Sequence, residues 1–245
     1  MALQNGAVDV ADLPPCTVRS LGAFLELIHI FPAHLQARNG SRWLDPRHFG
    51  HFITHRGSAW FFEEPHPFGF IPVAMLVSNP DAWTDMVNRL KRLSTSAGFS
   101  SDHSSKFVAA IGELWGNVVD HSQRNDTGYV AFSLEPGRFE FVVADHGIGV
   151  LASLRSSPSY AYLTDHGRAI ELVLSEGVSR YHSEDGHGFG FRPLFIGLAN
   201  IASGLRFRSG DHGREVVRVG GGPPVSRTYE LATLSGFFCS VTCEV

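Results

Sequence analysis

Glu113, Asn117 and His121 stand four residues apart, a spacing that puts a carboxylate, an amide and an imidazole on one stripe of a helix. The stripe runs beside an apolar face of Phe107, Ile111, Leu114, Trp115 and Val118. A purely structural helix would prefer Leu, Ala or Lys at the stripe positions; these three are equipped for proton transfer and polar contacts to a ligand. Further on, Phe139-Glu-Phe-Val-Val-Ala144 runs straight into Asp145-His-Gly147-Ile-Gly149. A carboxylate closing a buried strand is a directed hydrogen-bond acceptor, and glycines beside it let backbone approach a ligand without a Cβ in the way. A third cluster, Gly186-His-Gly188-Phe-Gly190-Phe, precedes a helix pattern with Pro193 in its first turn. A glycine loop opening onto a helix N-terminus presents unpaired amides, and those bind phosphate. Arg180 and Arg192 are both candidate phosphate partners; the sequence does not choose between them, and Arg192, beside the last glycines, is carried with the binding set.

The elements that must position these groups are legible in outline. Leu21, Phe24, Leu25, Ile28, Phe31 and Leu35 recur at helical spacing and predict a helix over 17–36. Residues 39–80 are mixed, punctuated by Gly40, Pro46, Gly50, Gly57, Pro65, Pro67 and Pro72. A second helix is predicted from Pro80 to Leu93, and Ser94–Gly98 is the candidate domain boundary. Ser101 or Asp102 can cap the helix that carries the stripe. Strands are predicted near 128–134 and 138–144 about a Glu135–Gly137 turn, then helical patches near 150–155 and 165–175. The glycine-rich stretch 176–190 leads into a helix ending near Ser203-Gly204. Four strand-like segments follow, near 204–209, 214–219, 226–233 and 236–244. The expected fold is an α/β two-layer sandwich, a mostly antiparallel mixed sheet covered by helices, behind an N-terminal α+β region.

In their fixed order the three clusters resemble the N, G1 and G2 boxes of the GHKL superfamily. That is the ATP-binding domain, Bergerat-type in fold, shared by gyrases, a heat-shock chaperone, mismatch-repair proteins and histidine kinases. The resemblance covers roughly 100–245. It implies ATP and Mg2+ as cofactors, with Asn117 helping to hold the magnesium and Glu113 acting as general base on a water or acceptor hydroxyl. Asp145 would accept a hydrogen bond from the adenine amino group, which separates adenine from guanine, with Gly147 and Gly149 against the base. His121 either approaches a phosphate or simply suits the negative end of its helix; both readings stand. Gly186, Gly188 and Gly190 would cradle phosphate, with 176–190 as a lid. Two departures matter. The second glycine box reads Gly-Phe-Gly-Phe where a leucine commonly follows. Gly236-Phe237 stands where many members have Gly-Thr, whose hydroxyl supports the adenine-binding aspartate; either Ser235 or Ser240 compensates, or adenine binding is weaker.

Composition excludes several alternatives. The 245 residues are 43% hydrophobic and 18% charged, ordinary for a globular chain, and the net charge of −4 gives no basic footprint for nucleic acid. The most apolar stretch, Phe68 to Val77, is broken by Pro72 and too short to span a bilayer, so no membrane partner is expected. No secretory leader is expected at the N-terminus. Cys16, Cys239 and Cys243 lack metal spacing and suit reduced, buried thiols in a cytoplasm. His48, His51 and His55 share a helical face without a carboxylate or cysteine to complete a metal set. Neither His29 nor His34 has the surroundings of a phosphoacceptor histidine, which argues against a self-phosphorylating sensor in one chain.

The expected division is an N-terminal region, 1–98, and an ATP-binding domain, 99–245, working as a stand-alone regulator without a transducer domain. The Glu-x3-Asn-x3-His-Ser form of the first box is most similar to the serine-kinase and anti-sigma branch. That likeness implies a protein partner, often of the STAS type, which is phosphorylated or sequestered; a homodimer stays open. The function expected is an ATP-binding regulator with kinase or slow ATPase activity. The alternative is an ATP-gated protein-binding module without chemistry.

Overall fold

The computed structural model describes residues 20–30, 58–63, 66–176, 197–198, 201–218 and 222–245. Within them, β1 (Trp60–Phe62), β2 (Phe68–Pro72), β3 (Tyr129–Glu135), β4 (Arg138–Asp145), β5 (Gly204–Val217) and β6 (Val225–Glu244) form one sheet. The strand order is β1-β2-β3-β4-β6-β5, antiparallel at every described pairing. Alternation sorts the strand side chains onto two faces. Val130, Phe132, Phe139, Phe141, Val143, Phe237, Cys239 and Val241 point into the larger core. On that face lie α2 (Val73–Ser78), α3 (Pro80–Ser96), α4 (Ser101–His121), α5 (Gly149–Arg155) and α6 (His166–Glu171), which make the expected sandwich. No helix among the described residues is long and apolar enough to cross a membrane.

Local chemistry explains the helix starts. Asn79 caps α3 by accepting from the Asp81 N–H at 3.1 Å, and Pro80 occupies the first turn, where no N–H is needed. The cap of α4 is Ser100, not Ser101 or Asp102: its hydroxyl accepts from the His103 N–H at 3.1 Å, and both expected residues already lie inside the helix. The Ser94–Gly98 stretch closes α3 and turns into α4. The core is continuous across it, since Ile71, Val73, Met86 and Leu90 pack in one cluster with Phe107, Ile111 and Phe139.

The C-terminal strands differ from expectation. The four segments are two long strands, because the glycines that read as breaks are irregularities within them. Ser209 pairs with Phe237 and Gly210 with Leu234, so Ser235 and Gly236 are left out of the ladder. The described part of the first predicted helix is α1 (Leu21–Ile30); the rest of that prediction lies outside the described residues.

α1 covers the sheet's other face. Leu21, Phe24, Leu25 and Ile28 pack on Trp60, Phe70, Tyr129, Val142, Ala144 and Phe238. Charge fixes it there. Glu26, buried, accepts from Arg206 Nε at 2.6 Å and Arg206 Nη2 at 2.8 Å, and from Arg208 Nη1 at 2.5 Å. Burial would raise the Glu26 carboxyl, but the two guanidiniums hold it below its usual value. At the helix's other end the Leu21 N–H donates to the buried Glu140, which Arg138 neutralises.

Because Arg208 is only 2% exposed, removing its carboxylate would strand a buried cation. Glu26→Ala is therefore expected to cost about 3–5 kcal/mol in urea unfolding. A change below about 1 kcal/mol, the range of exposed pairs, would contradict this role for the ion pairs.

Candidate nucleotide-binding site

Asp145 is the last residue of β4 and only 2% exposed. Its Oδ1 accepts from the Gly147 N–H at 2.7 Å. Among the described residues Oδ2 accepts no hydrogen bond, and no cation pairs with the carboxylate. Burial pushes the carboxyl up to about 7, against the pull of the Gly147 hydrogen bond. An acceptor so buried and half-satisfied is suited to a ligand that brings its own donor.

The surrounding loops fit without Cβ atoms. A Cβ on Gly147 would run into the Ser122 carbonyl at the end of α4, the same carbonyl that accepts from the Ile148 N–H at 3.0 Å. Gly236, at φ +72°, lies against Asp145: a Cβ there would strike its backbone carbonyl and come within 2.7 Å of Oδ1. Ser209 joins the two loops. Its hydroxyl donates to the Gly236 carbonyl at 2.8 Å and accepts from the Val150 N–H at 2.9 Å. Thr127 adds a bond from below, accepting from the His146 N–H at 3.0 Å.

The α4 stripe ends beside this cradle. His121 immediately precedes Ser122, and Asn117 lies about 7 Å back along the axis at 1.5 Å per residue. Asn117 and His121 are half-buried; Glu113 is exposed. The Asn117 Nδ2 donates to the Glu113 carbonyl at 2.6 Å, which leaves Oδ1, the atom a hard cation would need, for a ligand. Glu113, Asn117, His121, Asp145, Gly147 and Gly149 are thus carried by α4 and by the loop its last turn touches. Gly186, Gly188, Gly190, Arg180 and Arg192 lie outside the described residues, as do Cys16, His34, His48, His51 and His55.

Residues 76–192 match the sequence model of a family described as Histidine kinase-like ATPase domain. The chain contains a GHKL-type ATPase domain. No curated protein and no solved structure matches the chain significantly. The matched segment begins within α2 and takes in α3, α4, the β3–β4 hairpin and the Asp145 loop, while Ser209 and Gly236 of the cradle lie beyond it.

Among the described residues neither serine expected to stand in for the missing threonine bonds the Asp145 carboxylate: Ser240 lies on the α1 face against Gly22, and Ser235 is exposed. Phe237 itself is buried, its ring 4.9 Å from that of Phe207. The hydroxyl that braces the loops is that of Ser209, from the neighbouring strand. Its only sequence signal was a serine ending a strand-like run, and register was needed to read it. Cys239 and Cys243 are buried free thiols, pushed up to about 12 by burial.

Asp145→Asn is expected to weaken ATP binding by about 10–100-fold in calorimetry, the loss of a hydrogen bond to a charged acceptor. Stability should move the other way. The folded carboxyl titrates near 7 against an ordinary 3.8, so its contribution is full at low pH and is lost as pH rises through 7. Relative to the Asn variant, the native protein should lose up to about 4 kcal/mol between pH 4 and 8, an upper bound at 1.36 kcal/mol per pH unit. A constant difference across that range would contradict the buried, unpaired state of Asp145.

Proposed function

We propose that the chain is an ATP-binding regulator that phosphorylates a protein partner or slowly hydrolyses ATP, with Mg2+ at the phosphates. The supporting observation is the placement of a half-satisfied buried acceptor, Asp145, at the end of the helix that carries Glu113, Asn117 and His121. Asp145 Oδ2 would take the hydrogen bond of the adenine amino group. Gly147 and Gly236 let the two loops close against Ser122 and against Asp145 itself, where a Cβ would not fit. Asn117 Oδ1 would be the protein's oxygen ligand to the magnesium, which when bound supplies positive charge against the triphosphate. Glu113, exposed one turn before Asn117, would take the proton from a water or a partner hydroxyl as that oxygen meets the γ-phosphate. His121, Gly186, Gly188, Gly190 and Arg192 are assigned to the phosphates on the resemblance of their boxes. The partner we assign is a protein of STAS type, met in a cytoplasm.

A second reading, an ATP-gated binding module without turnover, is favoured by one observation. Phe237 is buried where a threonine hydroxyl would support Asp145, so the carboxylate is held by a backbone N–H alone among the described residues.

Variants separate the two. Glu113→Ala should keep Mg-ATP binding, because the carboxylate adds little to ground-state affinity, and lower turnover by ~10²–10⁴-fold. Asn117→Ala should remove the metal-dependent part of binding. Wild-type turnover in Glu113→Ala, with and without a partner, would remove Glu113 as the base. Absence of any turnover in the native protein would favour the binding module.

A further inference from the structure

α1 lies ahead of the segment that matches the ATPase family, yet its last turn reaches the back of the nucleotide loops. His29 is 5% exposed, and its Nε2 stands 2.8 Å from the Ser235 carbonyl oxygen. A carbonyl only accepts, so Nε2 carries the hydrogen and donates it. Burial, and then the neighbouring His146, hold the ring down at about 4, so at neutral pH it has one hydrogen, and that hydrogen is on Nε2. The face of the ring stacks on His146, with centroids 3.7 Å apart and planes at 18°.

These two contacts fall on the two turns that flank Asp145. Ser235 precedes Gly236, whose positive φ and missing Cβ make room for the carboxyl, and neither residue has a ladder partner. His146 directly follows Asp145 and precedes Gly147, which donates to Oδ1. The same helix reaches this region a second time through Glu26, whose partner Arg208 adjoins Ser209.

We infer that His29 is a positioning residue for ATP binding: by bonding one turn and stacking on the other it fixes the Asp145 carboxylate, so that the chain ahead of the ATPase domain sets its nucleotide affinity. The inference rests on the nucleotide-site reading above.

The test is a calorimetric Mg-ATP titration of the full chain with melting curves alongside. His29→Phe keeps a buried ring over His146 but removes the N–H; His29→Gln keeps an amide N–H that can reach Ser235. Leu25→Ala, one turn earlier in the same apolar cluster, is the control for loss of packing alone. His29→Phe should weaken ATP binding by about tenfold, the size of one lost hydrogen bond, and His29→Gln should recover most of it. Leu25→Ala should lower the melting temperature while the folded protein keeps native affinity. Native affinity in folded His29→Phe, or equal weakening in Leu25→Ala, would overturn the inference. Failure of the native protein to bind Mg-ATP would instead overturn the site reading on which it rests.

Discussion

A carboxyl group buried at the end of a central strand, with no cation beside it among the described residues, is costly to ionise, and much of this fold is arranged around tolerating one. Among the described residues Asp145 is held by a single backbone N–H, with its second oxygen left for another donor. That arrangement constrains the neighbours. Gly147 must be glycine because Ser122 is already against it, and Gly236 because Asp145 is. The Ser209 hydroxyl then locks the Gly236 turn to the start of α5, so the acceptor is preorganised before a ligand arrives. A surface carboxylate would cost less to fold and would discriminate less, since water competes for every donor offered to it.

The sheet's two faces divide the labour. One carries the helices that present the α4 stripe and the Asp145 loop. The other is closed by α1, whose apolar side buries Phe24 and Leu25 and whose Glu26 neutralises a fully buried arginine. This second cover is more than packing, because it touches the same two turns that flank the Asp145 carboxyl. Chain ahead of the ATPase domain is thereby built into the domain's architecture.

Much of this was legible in the sequence where chemistry and spacing coincide. The four-residue spacing of Glu113, Asn117 and His121 and the strand leading into Asp145 needed only periodicity and the glycine pattern. The helix around Pro80 announced itself by its proline, whereas its Asn79 cap appeared only in the structure. What escaped were properties of register. Gly210 and Gly236 read as strand ends, although in the sheet they are irregularities that let β5 and β6 run on. Ser209 and His29 act on the site across strands and across the sheet, at sequence distances no local pattern encodes. Ser240 was a reasonable substitute by proximity in sequence, but alternation places it on the α1 face.

On the proposed function, the half-satisfied Asp145 carboxylate reads the amino group of adenine. Titrating the native protein calorimetrically with Mg-ATP and with Mg-ITP tests this most directly, because inosine carries a carbonyl where adenine carries its amino group and is otherwise nearly the same size. Above the pH at which the carboxyl ionises, about 7, a site built around this buried acceptor should bind ATP and reject ITP by at least about a hundredfold, since ITP brings a second acceptor to an ionised Oδ2. Equal affinity for the two nucleotides would contradict the account, whatever the turnover.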